Sequence, residues 1–384
     1  MKYYVIAGEA SGDLHGSNLI KELKKLDATA HIRCWGGDKM QAAGADLVKH
    51  YRELAFMGFS EVLMNLRTIF RNLAFCKKDI LEYKPDALIL IDYPGFNLRI
   101  AQWARQQGLK IIYYISPQVW AWKENRVRMM KECIDKMLVI LPFEKEYFAK
   151  KWNWEVEYVG HPLVDVIEDF KKNAKMQTTE PGSQIPASAH ALTPGNKKIV
   201  ALLPGSRKQE IMKKLPVMLE VSKHFRDYHF IVAKAPGIDD SFYDSLLKNS
   251  DNVSYMSGRT YEILMHAHAA LVTSGTATLE TALFEVPEVV CYKGSYISYQ
   301  IGKRLVRVKY ISLVNLIMDK LVVKELIQEE LTAANLQKEL RQLLMDKARI
   351  AALKNDYADL KNLLSMEGNA SAKAANSIYL YLTQ

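Results

Sequence analysis

Short apolar runs rich in β-branched and aromatic residues alternate with longer stretches whose apolar positions recur every three to four residues. Continuous apolar runs of strand length are buried on both faces, and amphipathic helices between them are the mark of βαβ units and parallel sheets. The first half predicts strands at 3–7, 31–35, 87–92, 110–115, 136–141 and 156–159. The second half predicts them at 198–203, 228–233, 252–256, 269–273, 288–292 and 310–314, and from about residue 322 the pattern is helical to the end. Two similar sets imply an α/β protein of two Rossmann-like domains with a cleft between them. The expected N-terminal domain is 1–172 and the C-terminal domain 198–368. Between them 173–197 is polar, carries Pro181-Gly182, Pro186 and Pro194-Gly195, and has neither hydrophobic period, so it reads as a linker or insertion. The apolar spacing of the last helix, 369–384, suits a return to the first domain.

Size agrees with that division, since 384 residues exceed the ~250–300 at which a single core stops growing. The net charge of +9 calls for an anionic partner, a phosphorylated substrate or an acidic membrane face. Nucleic acid is not expected, because the chain has no basic tail or Lys/Arg block. Cys34, Cys76, Cys133 and Cys291 are far apart and form no CxxC pair, which fits buried thiols in a reducing compartment. The apolar start is broken at Gly8-Glu9, and no apolar run reaches membrane-spanning length, so a cytoplasmic protein is expected. His266 and His268 diverge around a helix axis, and no metal or other cofactor is expected.

Candidate chemistry lies where strands turn into helices. Ser274-Gly275-Thr276-Ala277-Thr278-Leu279-Glu280 follows a buried strand, and helix N-terminal N–H groups beside a glycine bind phosphate. Glu280 shares a helix face with Thr276 and suits a ribose hydroxyl, so the segment describes a nucleotide diphosphate site. An ordinary capped strand-to-helix turn has the same residues. Leu203-Pro204-Gly205-Ser206-Arg207 sets a permanent bidentate cation at a strand's carboxyl end, suited to a departing diphosphate. A surface arginine in a Pro-Gly turn is the other reading. Asp92 ends the run 87–91, where a partly desolvated carboxylate can take a proton from a hydroxyl; it equally suits a cap on the turn at Pro94-Gly95.

Gly8-Glu9-Ala10-Ser11-Gly12-Asp13 opens the first helix but is neither GxGxxG nor a P-loop, and its glycines also serve a tight turn. Trp120–Arg128, with Trp122 and Arg126, mixes aromatic surface with cations suited to sugars, phosphates or a membrane interface, or a plain surface helix. Phe59, Leu63, Leu66 and Phe70 lie at helical spacing among Arg67, Arg71, Lys77 and Lys78, a pattern of an interfacial membrane helix and also of core packing. Residues 304–310 alternate, giving a basic face or an exposed edge strand.

Seven segments in order, Gly8–Asp13, Ile91–Asn97, Ser116–Trp122, Leu141–Glu144, Leu203–Arg207, Ser274–Glu280 and Ser312–Leu316, resemble the lipid-A-disaccharide synthases along nearly the whole chain. The resemblance implies a GT-B fold and an inverting, metal-independent glycosyltransferase on the cytoplasmic face of the inner membrane. It implies transfer of 2,3-diacylglucosamine from UDP to the 6-hydroxyl of 2,3-diacylglucosamine 1-phosphate, giving a β-1,6 disaccharide and UDP. The implied roles are Asp92 and Arg207 in catalysis; Gly205, Ser206, Ser274, Gly275, Thr276, Thr278, Glu280 and Asn315 on the UDP donor side; and Glu9, Ser11, Gly12, Asp13, Asn97, Trp122 and Arg126 bordering the acceptor side. Phe59, Leu63, Leu66 and Phe70 would form the acyl and membrane face. A homodimer is compatible with the chain.

Gly95 stands where the family often has a second acidic residue, which favours Asp92 as the base. Val314 stands where a proline is common before Asn315, and 173–197 is longer than the family usually needs. The competing readings are a UDP-N-acetylglucosamine 2-epimerase-like enzyme, which needs no lipid path, and a non-catalytic nucleotide-responsive membrane-binding protein, which would tolerate loss of Asp92.

Overall fold

A computed structural model describes residues 1–53, 66–179, 197–248, 250–295, 299–300, 308–365 and 368–384. They form two compact units, Met1–Pro162 with Leu364–Gln384, and Leu163–Leu363.

The first unit is built on a parallel sheet of β1 (Lys2–Ala7), β2 (His31–Gly36), β3 (Asp46–His50), β4 (Ala87–Ile91), β5 (Ile111–Tyr114), β6 (Lys136–Val139) and β7 (Glu157–Tyr158), in the order β3-β2-β1-β4-β5-β6-β7. Period-two alternation sorts its apolar residues onto two cores. Tyr4, Ile6, Leu88 and Leu90 pack with Leu73, Cys76 and Ile80 of the helix Leu66–Tyr83. Tyr3, Val5, Ile89 and Ile91 pack with Leu19, Ile20 and Leu23 of the helix Ala10–Leu26 and with Ala374, Ala375 and Ile378 of the last helix, Ala370–Thr383. All five residues of β4 are fully buried, and each such side chain contributes about 1.5–3 kcal/mol. One polar group on this face is carried inside with its partners: the Asp79 carboxylate accepts from the Tyr4 hydroxyl at 2.6 Å and from Arg33 Nε and Nη2 at 3.0 and 2.7 Å. That bidentate pair fastens the helix Leu66–Tyr83 to the sheet.

The second unit repeats the plan with β8 (Lys198–Leu203), β9 (Tyr228–Lys234), β10 (Val253–Ser257), β11 (Ala267–Thr273), β12 (Glu288–Tyr292) and β13 (Lys324–Ile327), all parallel, in the order β10-β9-β8-β11-β12-β13. In both units the order reverses beside the first strand, between β1 and β4 and between β8 and β11. Ligands of such sheets bind beyond the carboxyl ends of those strands. All four cysteines are buried and unpaired.

Three expectations need correction. The predicted strand 310–314 is instead the entry to a short helix, Leu313–Met318, which Ser312 caps by accepting from the Asn315 N–H. Two strands escape the pattern: β3, whose sequence DLVKH is a partly exposed edge strand, and β13, which lies within the stretch from 322 read as helical. The helix Pro162–Thr179 runs through the expected start of the linker at 173, while 180–196 lies outside the described residues.

Candidate active site

In the first unit Glu9 follows β1 and Asp92 follows β4. Asp92 and Tyr93 both adopt left-handed backbone, with φ of 44° and 49°, each at a cost of about 1–3 kcal/mol. The surroundings impose this conformation. The Asp92 N–H donates to the Tyr114 carbonyl at 3.1 Å, and the Asp92 carbonyl accepts from the Tyr113 hydroxyl at 2.6 Å and from Asn97 Nδ2 at 2.8 Å. Gly8 completes the turn by close approach, because a Cβ there would lie 2.3 Å from the Tyr93 ring.

With its main chain tied on both sides, Asp92 presents a partly buried carboxyl. Burial, and secondly the negative charge of Glu9, push it from 3.8 to about 7. A carboxyl that titrates near neutrality can accept a proton from a hydroxyl and release it again, as a general base must. The charge of Arg126, which opens the helix Arg126–Cys133, reaches Tyr113 in the same cluster.

Trp122 is 48% exposed, with the Lys123 ammonium 4.0 Å above its ring. The loop carrying it is clamped by the helix Pro142–Trp152. Buried Glu144 accepts from Trp120 Nε1 at 3.1 Å and from the Leu141 N–H at 3.0 Å, and Tyr147 donates to Glu124 at 2.7 Å. Burial pushes the Glu144 carboxyl up to about 8. Residue-level reasoning gave Glu144 no role, although Pro142 followed by Glu144 is a helix-start signature.

Three residues expected to border the acceptor side do other work. Asp13 is buried and its carboxylate accepts from the N–H groups of Gly37, Lys39 and Met40 at 2.8, 3.1 and 3.0 Å, so it caps the helix Asp38–Ala42. Gly12 is buried against β1, where a Cβ would stand 3.0 Å from that of Ala7. Asn97, also fully buried, spends its amide N–H groups on the carbonyls of Ile6, Ile91 and Asp92, bracing the β1–β4 junction from below. Ser11 is exposed on the first helical turn.

In the second unit a cavity of about 370 Å³ opens beyond β8 and β11. Gly205, Ser206 and Arg207 border it from one side and Ser274, Gly275, Thr276 and Glu280 from the other. Gly205 and Gly275 have φ of 125° and 137°, which only glycine adopts without strain, so both turns depend on them. Arg207 is mostly exposed, its Nη1 3.8 Å from Glu210. The helix Thr276–Leu283 begins at Gly275. Glu280 accepts from the Tyr261 hydroxyl at 3.0 Å, and burial raises its carboxyl. A cation, exposed helix-start residues and a carboxylate therefore line one cavity, a set suited to a diphosphate with an attached sugar hydroxyl.

Other expected donor residues make structural hydrogen bonds, Ser274 while also bordering the cavity. Thr278 is buried and donates back to the Gly275 carbonyl at 2.8 Å, and Ser274 donates to the Ile311 carbonyl at 2.7 Å. Asn315 has every polar position filled. Its Nδ2 donates to the Val323 carbonyl and to Glu325 at 2.9 Å each, and its Oδ1 accepts from the N–H groups of Val322 and Val323 at 2.8 and 2.9 Å. Nothing is left for a ligand. Val314 is fully buried beside it.

Of the expected membrane face, Phe59, Leu63 and the side chain of Leu66 lie outside the described residues, as do 304–307. Phe70 and Phe75 are 63% and 46% exposed on the helix Leu66–Tyr83. No described helix is long and apolar enough to cross a membrane.

The family model described as lipid-A-disaccharide synthetase matches residues 3–379. The lipid-A-disaccharide synthase of Geobacter metallireducens is 38% identical over 379 residues, covering 97% of this chain and 95% of that one. That of Syntrophus aciditrophicus is 37% identical, covering 98% and 97%. Among solved structures, UDP-GlcNAc 2-epimerase of Neisseria meningitidis bound to UDP-GlcNAc superposes with a TM-score of 0.68 at 13% identity, covering 99% and 100% of the two chains. The glycotransferase of kitacinnamycin gives 0.66 at 14%, covering 99% and 98%. At such identities the likeness shows the fold alone, two parallel-sheet α/β domains of the GT-B kind.

Proposed function

The chain belongs to the lipid-A-disaccharide synthase family, and from that premise we propose that Asp92 is its catalytic base and Arg207 its leaving-group clamp. The chain is a glycosyltransferase. Its donor is UDP-2,3-diacylglucosamine, its acceptor 2,3-diacylglucosamine 1-phosphate, and its products are the β-1,6 disaccharide 1-phosphate and UDP. The acceptor 6-hydroxyl gives its proton to Asp92 as its oxygen bonds to the anomeric carbon. The bond from that carbon to the β-phosphate oxygen breaks with inversion, and the electron pair leaves with UDP. Arg207 and the main chain at Gly275 and Thr276 carry the growing charge of the diphosphate, while Glu280 holds a ribose hydroxyl. Glu9 keeps the Asp92 carboxyl high, and Trp122 and Arg126 serve the acceptor.

The observation that carries the base assignment is Asp92 itself, a carboxyl raised to about 7 at the end of β4 on a constrained main chain. The acyl chains and the membrane are met by the helix Leu66–Tyr83, supported by exposed Phe70 and Phe75 beside Arg67, Arg71 and Lys78. The membrane in question is the inner face of the cytoplasmic membrane. An epimerase reading is not favoured, because the epimerase likeness is one of fold at 13% identity whereas the family match spans nearly the whole chain.

The test mixes full-length protein with both lipids in detergent and follows UDP and disaccharide by mass spectrometry. Disaccharide from wild type and none above background from Asp92→Ala is the expected result. A folded Asp92→Ala protein that turns over at the wild-type rate would remove Asp92 from the mechanism.

A further inference from the structure

Beneath the two loops of the second unit's cavity lies a buried cation that the roles above do not use. Lys214 sits on the helix Lys208–Ser222, on the face that also buries Ile211, Leu215 and Met218, and only 3% of it is exposed. Its ammonium donates to Thr273 Oγ1, at the carboxyl end of β11. It also lies 3.5 Å from the point where Gly205 would carry a Cβ, so the absent side chain leaves it beside the β8 turn. The amine thus touches both phosphate-type loops from below.

No carboxylate is in ion-pair contact with Lys214 among the described residues, and its ammonium makes one hydrogen bond among them. Glu210, the carboxylate whose field reaches it, stands beside the same Gly205 position, its Oε2 2.6 Å from where a Cβ would lie, and its Oε1 is 3.8 Å from Arg207, so its charge is shared between the two cations. Two other neighbours are in its field, the Lys213 cation, which opposes its charge, and the Cys291 thiol, which burial pushes up to about 12 and so leaves uncharged at neutral pH. Burying an ammonium without a counter-charge is costly, and a methionine or leucine would fill this helix position without that penalty. Desolvation accordingly lowers the amine below 10.5.

We propose that Lys214 is a positioning residue for the donor diphosphate, a buried cation that fixes the Thr273 hydroxyl and supplies positive potential under the Gly205 and Gly275 turns. This rests on the donor-site reading of that cavity. The helix-start N–H groups and Arg207 meet the phosphates from above, and Lys214 supplies from below the charge that solvent cannot screen. Its contribution grows as the diphosphate gains charge on departure, so it acts on UDP and on the chemical step more than on the uridine.

The experiment compares UDP and uridine binding to full-length wild type, Lys214→Met, Lys214→Gln and Lys214→Arg by calorimetry and ligand NMR. The expected result is a UDP affinity about 10–100-fold weaker in Lys214→Met and Lys214→Gln with uridine affinity unchanged, and recovery of most of the loss in Lys214→Arg. Lys214→Gln retains a donor for Thr273, so its loss isolates charge from the hydrogen bond. An unchanged UDP-to-uridine ratio in the two neutral variants overturns the proposal while leaving the donor site in place. Wild type that binds neither UDP nor uridine overturns the donor-site reading instead. Unchanged uridine binding also certifies that each variant is folded; equal loss of both ligands would make Lys214 a packing residue and refute the role.

Discussion

Replacing Glu9 by glutamine removes one charge from beside the base and leaves its hydrogen-bonding shape almost intact. Asp92 titrates near 7 rather than 3.8, with burial as the larger cause and Glu9 as the second. The rising limb of kcat/KM in wild type should therefore have its midpoint near pH 7. In Glu9→Gln the midpoint moves toward acid, but because burial, the larger cause, remains, it stays above 3.8. At pH 7 wild-type Asp92 is about half ionised, so the variant gains at most about twofold in rate from a fully ionised base. A weaker base offsets part of that gain. Asp92→Asn, which has no base, should lose about 10²–10⁴-fold at every pH.

Protein stability supplies an independent readout with a defined sign. Because the folded state raises the Asp92 carboxyl above its unfolded value, it binds more protons than the unfolded chain between pH 3.8 and about 7. That contribution is complete below 3.8 and lost as pH rises through about 7. Asp92→Asn should thus gain stability relative to wild type as unfolding is repeated from pH 5 to pH 8. The assay is continuous UDP release with both lipids in detergent across pH 5.5–8.5, beside denaturant unfolding at the two ends. An acid limb that stays where it is in Glu9→Gln, or moves toward alkali, would refute the coupling; a limb that persists in Asp92→Asn would assign it to another group.

Arg207→Ala should lower kcat about 10²–10³-fold, while its exposed side chain predicts a stability within about 0.5 kcal/mol of wild type by denaturant unfolding. Asn315→Ala should behave in the opposite way. Its four buried hydrogen bonds predict destabilisation of about 2–4 kcal/mol, and a stable protein with selectively lost UDP binding would return Asn315 to the donor site. Phe70→Ser with Phe75→Ser should reduce sedimentation with anionic vesicles and raise the KM for the detergent-dispersed lipids; unchanged sedimentation would move the membrane face elsewhere. Gly8→Ala puts a methyl against the Tyr93 ring, so turnover should fall more than stability, measured by the same release assay and by unfolding.

How far these residues could be read beforehand depended on whether their chemistry was local. Continuous apolar runs such as Ala87–Ile91 announce buried parallel strands because they are of strand length, rich in isoleucine, and followed by turn residues. The turns after β1, β4, β8 and β11 are legible too, since each is punctuated by glycine or proline within three residues of its strand. Two edge strands, β7 and β10, match the predicted 156–159 and 252–256, but the edge strands β3 and β13 do not show in the pattern. Asp46–His50 has one paired neighbour and one open side, so its sequence carries no continuous apolar signal. Asn315 is placed on the donor side by the resemblance alone, and Ser312 begins one of its seven segments. Their partners, Glu325 and the main chain at 322–323, become neighbours only when β13 joins the sheet.

Asp13 and Asp92 make the same point within one unit, because both are carboxylates just past the carboxyl end of a central strand. Asp13 meets three N–H groups and has become a cap, whereas the Asp92 hydrogen bonds at 2.6, 2.8 and 3.1 Å are all made by its main chain. A carboxylate held by several backbone donors is stabilised as an anion and is a poor base; one whose peptide is anchored while burial and a second carboxylate oppose ionisation is ready to take a proton. Spacing in the sequence is blind to that difference, which is set by long-range partners: the Gly37–Met40 segment for Asp13, and Tyr113, Tyr114 and Glu9 for Asp92. Lys214 follows the same logic with the sign reversed: nothing in the local sequence sets it apart, and Thr273 and Gly205 come beside it only in the fold. Asp92 and Lys214 share one property: the fold buries each with no oppositely charged side chain in contact among the described residues.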